Sequence, residues 1–137
     1  MPAPVRTAEE LTARVREAFP PDPANPADAD GDGAQEVVHL DADTIRIRMR
    51  TGARHLRPGD SVAGPVLFTL VDSAAWLMTL AHLEPGRDAL TSGLSMQFLR
   101  RPPAGELIAE GRLLRMGRRF SVTDVLVYAG GDDRPVA

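Results

Sequence analysis

Cysteine is absent from the 137 residues, which removes disulfides, thiolate nucleophiles and cysteine metal sites together. Lysine is absent as well, so all 16 basic residues are arginines. That usage suits phosphate or carboxylate recognition, and genome-wide composition bias accounts for it equally well. The net charge is −3 and no basic tract is interleaved with aromatics, so no nucleic-acid partner is expected. The N-terminus has no basic-then-apolar signal segment, and a cytoplasmic protein is expected. His39, His55 and His82 lack metal-ligand spacing and read as surface or hydrogen-bonded residues. No Gly-x-Ser-x-Gly elbow, phosphate-binding loop or dinucleotide fingerprint occurs, and Gly130-Gly131 reads as a turn.

What is present is one domain's worth of chain with ordinary apolar (43%) and charged (26%) fractions. Its organising stretch runs from Gly64-Pro65 to His82, with Pro85-Gly86 beyond it. Proline at the first helical position costs no hydrogen bond, and the Pro-Gly pair stops the helix. Seventeen or so residues make a rod of about 25 Å. It is apolar nearly all round, which predicts a buried helix. It is too short for a membrane span and carries Asp72 near its middle, so no membrane association is expected. Thr69, Asp72, Ser73 and Trp76 form a polar-edged stripe along it. A buried carboxylate needs a partner or a changed pKa. Asp72 therefore caps a loop, meets an arginine from another strand, or serves as a catalytic base in a cleft. The helix N-terminus, with the Gly64 amide, can stabilise a developing oxyanion, while the acid activates water or attacks directly.

Ahead of this helix, Thr7 to Phe19 reads as a short amphipathic helix opened by a Thr7/Glu10 capping box. Pro20 to Gly33 reads as a linker. Asp28, Asp30, Asp32 and Gly33 imitate half of a calcium loop, but His39 stands where the bidentate glutamate belongs, so a solvated acidic loop is expected. Residues 1–34 are thus a helix plus a Pro/Asp/Gly-rich linker, and 35–137 form the main domain. Glu36 to Leu40 and Thr44 to Arg50 predict a hairpin, the second arm alternating Ile45, Ile47 and Met49 against three arginines. Ala53 to Ala63 reads as a loop. Three strands are expected after the helix, at Thr91–Leu99, Leu107–Met116 and Phe120–Tyr128. One buried helix followed by successive antiparallel strands predicts an α+β fold with a sheet curled around a helix.

The run Val66-Leu67-Phe68-Thr69-Leu70-Val71-Asp72-Ser73-Ala74 carries a resemblance. With it go Phe98-Leu99-Arg100-Arg101-Pro102, Gly105-Glu106-Leu107-Ile108-Ala109 and Gly117-Arg118-Arg119. Together they resemble the PaaI-type hotdog thioesterases, from roughly Glu36 to Ala137. The resemblance implies a hotdog fold and a homodimer or dimer of dimers with active sites between subunits. It also implies hydrolysis of acyl-coenzyme A without metal or prosthetic group. The family's catalytic acid falls on Asp72 and its oxyanion-hole glycine on Gly64. Its hydroxyl contributed by a neighbouring subunit falls on Thr91. Arg118, Arg119, Arg100 and Arg101 fall where such proteins often meet nucleotide phosphates, for which guanidinium offers bidentate hydrogen bonds. Arg57 and Ser73 complete the expected substrate-binding set.

There are departures from the family pattern. The usual histidine before the glycine is Ala63, the following glycine is Pro65, and an asparagine six residues before that histidine is Arg57. Proline has no amide to donate, and losing one preorganised donor costs about 3 kcal/mol. Relatives also continue past the equivalent of Pro135-Val136-Ala137 into one more strand, so either the sequence is shortened there and the sheet edge is left unpaired, or a neighbouring subunit or another segment covers it. An acyl-CoA thioesterase is the leading expectation, and a non-catalytic acyl-CoA binding module is the alternative. A hotdog hydratase fits less well, because no Asp–His pair stands at suitable spacing.

Overall fold

A computed structural model describes residues 1–20 and 31–137. Most of the expected linker, with Asp28 and Asp30 of the acidic loop, lies outside the described residues. Thr7 caps helix α1 (Ala8–Ala18), its side chain accepting from the Glu10 amide at 3.1 Å, and Leu11 and Val15 are its buried stripe. Strands β1 (Gln35–Leu40) and β2 (Thr44–Arg50) form the expected antiparallel hairpin. Ile45, Ile47 and Met49 point inward and the arginines outward, Arg48 meeting Glu36 across the ladder at 2.6 Å. The expected loop at 53–63 has more order than its composition suggests. It holds a 3-10 turn (Ala53–His55) and a ribbon of β3 (Leu56–Arg57) and β4 (Ser61–Val62) around Pro58-Gly59-Asp60.

Helix α2 spans Gly64–Leu80, with Pro65 in its first turn. It lies on the sheet β1-β2-β5-β6, completed by β5 (Glu106–Met116) and β6 (Ser121–Ala129), all neighbours antiparallel. Leu70, Ala74, Leu77 and Met78 are fully buried against Ile45, Ile47, Leu107, Ala109 and Val127. Each such large aliphatic side chain withdrawn from water contributes about 1.5–3 kcal/mol. Leu11 and Val15 of α1 belong to the same core.

Two expectations need correction. The long helix is not buried on every side: Pro65 and Phe68 are exposed, and Thr69, Asp72, Ala75 and Trp76 are half-buried. The sheet covers one face, and among the described residues no second sheet covers the other. Thr91–Leu99 is not a strand. Leu94 and Met96 still pack on the core in alternation, but Phe98 stands 56% exposed and the segment has no ladder among the described residues. Alternation chooses a face, whereas a strand also needs a neighbour to pair with. Only the end of this segment finds one, where the Leu99 and Arg100 amides donate to the Val136 carbonyl. Val136 in turn donates to Val127 of β6 at 2.7 Å.

Helix and sheet approach closely at Gly111 of β5. A Cβ there would stand 2.9 Å from Ile45 Cγ2, 3.4 Å from Thr123 Cγ2 and 3.8 Å from Ala74 Cβ. Two of these neighbours are β-branched and the third is on the helix, so none can swing away. Gly111→Ala should therefore lower the unfolding free energy by about 1–3 kcal/mol, measured by denaturant titration.

Candidate active site

The expected site residues fall at three stations along α2. At its N-terminus, Ala63 is the uncapped N-cap and Gly64 begins the helix. Arg57, Ser61, Gly64, Leu67, Phe98, Arg100 and Arg101 line a cleft of about 410 Å³. The Phe98 ring lies 3.5 Å from where a Gly64 Cβ would be. Thus the Arg57 turn, the start of α2 and the chain leaving Leu99 converge, and three guanidinium-bearing residues stand beside the positive end of a helix.

At the middle station Asp72 sits on the open face. Among the described residues no ion pair reaches it, and its hydrogen-bond partner is Thr91, whose Oγ1 donates to Oδ1 at 2.5 Å. The arginine partner that sequence chemistry left open is absent there. Thr91 makes this contact within one chain, whereas the resemblance pointed to a neighbouring subunit. Ser73, next along the helix, turns the other way: it is 2% exposed in the core, with an unpartnered hydroxyl.

The third station is the far end. Thr79 Oγ1 and Ser121 Oγ are 2.5 Å apart, which ties the last turns of α2 to the start of β6. Arg118 and Arg119 sit in the β5–β6 turn just before Ser121, both exposed. Fifteen residues of helix, about 22 Å, separate Thr79 from Gly64. Within one chain, Arg100 and Arg101 therefore share the glycine's end and Arg118 and Arg119 do not.

Sequence reasoning missed the setting of Trp76. Its indole Nε1 donates to Asp88 Oδ1 at 3.0 Å, and the Arg14 guanidinium lies 4.9 Å above its ring. The readable signal was a lone indole on a polar stripe, since a part-buried Trp N–H usually finds an acceptor. The three histidines are hydrogen-bonded. His39 meets Asp41 and Thr44, His55 Nδ1 accepts from the Gly52 amide, and His82 donates to the Ala42 carbonyl. No group of His, Asp or Glu among the described residues is arranged to hold a metal. No helix among them is long and apolar enough to cross a membrane.

An antiparallel sheet laid along one long helix is the hotdog architecture of α+β proteins, and in this chain a carboxylate stands on the helix's open face. The chain matches the model of the thioesterase superfamily over residues 59–136, and it belongs to that superfamily. Among solved structures it is similar to a putative thioesterase of Silicibacter sp. TM1040. The two are 34% identical with a TM-score of 0.80, over 97% of this chain and 87% of the other. The PaaI protein of the phenylacetic acid degradation operon of E. coli, at 23% identity, has the same fold. Its TM-score is 0.70 over 95% of this chain and 89% of that one. So does a hypothetical thioesterase of Streptococcus pneumoniae solved with coenzyme A, at 21% identity. Its TM-score is 0.69 over 79% of this chain and 82% of that one. A putative esterase of Saccharolobus solfataricus is 26% identical over 98 residues, 72% of this chain. The match spans 65% of that relative's length.

The Asp88 carboxyl is held below the usual range, first by the Ala89 amide, then by the Trp76 indole, with Arg14 adding charge. A carboxyl depressed on folding contributes its stabilisation above the unfolded pKa, about 3.9, and loses it as pH falls through the lower folded value. The emission of Trp76, the chain's one tryptophan, should therefore shift on acidification with a midpoint below the ordinary carboxyl value. Asp88→Asn should lack that shift.

Proposed function

We propose that the protein is an acyl-CoA thioesterase in which Asp72 and Gly64 act on the same thioester from two different subunits. The carrying observation is Asp72 itself. It is a carboxylate on the open face of a core helix, partnered by a neutral hydroxyl and, among the described residues, by no cation, in a chain of the thioesterase superfamily. Such a group is free to take a proton. It accepts one from water as the water oxygen bonds to the thioester carbonyl carbon. The Gly64 N–H holds the resulting oxyanion. Collapse of the tetrahedral intermediate expels the CoA thiolate, which takes up the proton. The coenzyme A bound by the streptococcal relative supports that class of leaving group.

The case for two subunits is geometric. Gly64 and Asp72 lie eight residues apart on one helix, about 12 Å along its axis. The donor must lie about 3 Å from the carbonyl oxygen, and the base about 3 Å from the water that adds to that carbonyl's carbon. One rigid helix cannot supply both, but two antiparallel copies can. Phe68, Leu90, Phe98 and Leu99, all exposed, provide apolar surface along that side. We extend the proposal to the phosphates of CoA, which the Arg57, Arg100 and Arg101 cleft receives.

The second reading, acyl-CoA binding without turnover, is favoured by Pro65, which leaves the oxyanion one amide fewer. A panel of acyl-CoA thioesters followed by free-thiol release separates the two. Asp72→Asn should lower release at least about 100-fold without altering the fold. Binding of CoA by a parent protein that releases no thiol would establish the binding module. Mixing Asp72→Asn with Gly64→Pro chains should restore activity that neither has alone, because one of the two shared sites is then intact. Arg100→Ala with Arg101→Ala should raise the Kd for CoA about tenfold by calorimetry, and more than the Arg118/Arg119 double variant does.

A further inference from the structure

Burial does not place Thr91. The chain from Glu84 to Gly93 is almost wholly exposed, Leu90 is 93% exposed, and only Ala89 packs on the core. Ordering an exposed residue costs about 1–2 kcal/mol of conformational entropy, so something other than hydrophobic contact must hold this segment. Polar contacts from α1 and its leading residues do. Arg6 donates to the carbonyls of Leu83, Glu84 and Arg87, each at 2.9 Å, and the Val5 amide donates to Ala81. Asp88 is then gripped on both oxygens. Oδ1 accepts from the Trp76 indole at 3.0 Å and from the Ala89 amide at 2.8 Å, and Oδ2 faces Arg14 Nη2 at 3.4 Å.

The spacing gives this grip a consequence. Trp76 follows Asp72 by four residues, so it lies on the same helix face, about 6 Å further along. Three residue steps lead from Asp88 to Thr91, a tether of at most about 11 Å. With Asp88 pinned over the indole, Thr91 is confined to the neighbourhood of Asp72, and its hydroxyl donates to that carboxylate. We propose that Asp88, clamped between Trp76 and Arg14, is a positioning residue that sets the Thr91 hydroxyl on Asp72. This rests on the reading of Asp72 as the base.

The test is a kinetic cycle of Asp88 and Thr91 variants on the best thioester substrate. Asp88→Ala should lower kcat about tenfold, since a displacement of an ångström is enough to cost that much. KM should change by less than about twofold, as for a group that acts on the chemical step. Asp88→Asn, which keeps the oxygen that accepts from the indole, should recover about half of kcat or more. Asp88→Ala should cost nothing further in a Thr91→Ala background, where a purely structural lesion would multiply. An unchanged kcat in Asp88→Ala, or multiplying effects, would overturn the proposal. If Asp72→Asn itself keeps turning over, the reading of the base fails, and the clamp is then judged without activity. Trypsin should cut after Arg87 at least about fivefold faster in Trp76→Phe than in the parent, because cleavage follows the population of the open segment. Equal cleavage rates would overturn it.

Discussion

A helix cannot bend to bring two of its own residues eight positions apart onto one atom, and that stiffness governs everything else here. α2 is fixed at its ends, by Pro65 and the Ala63 carbonyl at the start and by the Thr79–Ser121 contact near its last turn. Along its length, fully buried Leu70, Ala74 and Leu77 press it onto the sheet. What remains is a rigid rack on which Gly64 and Asp72 stand at a set separation. If both are used on one substrate, the second copy of the rack is a requirement of geometry, not an accessory to stability. The uncovered apolar side chains beside it are what such a second copy would need to bury.

The same helix divides its labour by face. Toward the sheet it carries buried Leu, Ala and Met, with Gly111 leaving room for Ile45 at close range and Ala74 of the helix in ordinary contact beside it. Away from the sheet it carries Thr69, Asp72 and Trp76. Two of these recruit partners from the exposed chain that follows: Trp76 takes Asp88 and Asp72 takes Thr91. Among the described residues that chain has no sheet partners over most of its length. Its order comes from side chains of the helix and of α1, so the N-terminal segment reaches the candidate site through contacts with loop carbonyls.

Much of this was legible in the sequence, and the reasons are local. Gly64-Pro65 opens α2 because proline acts on the backbone torsion whatever surrounds it, whereas the helix stops at Leu80, ahead of the expected Pro85-Gly86 break. Thr7 with Glu10 starts α1, and Ile-Arg-Ile-Arg-Met-Arg sorts β2 into a dry and a wet face. Asp72 stood out because an acid in an apolar run has to be accounted for energetically. Motif order carried the resemblance to the superfamily that the family match bears out.

Tertiary structure alone decided the rest. Alternation at Leu94, Met96 and Phe98 looked like a strand, yet pairing depends on what lies alongside, and periodicity carries no information about neighbours. The apolar girth of α2 suggested burial all round, but a single sheet covers a single side. Four arginines suited to phosphate were indistinguishable by chemistry. Only the folded chain put Arg100 and Arg101 beside Gly64 and left Arg118 and Arg119 at the opposite end of the helix. Sequence determines the properties that each residue or turn has by itself, namely torsion, hydropathy and charge. Which side chains share a space depends on how distant segments cross, and that is settled when the sheet closes on the helix.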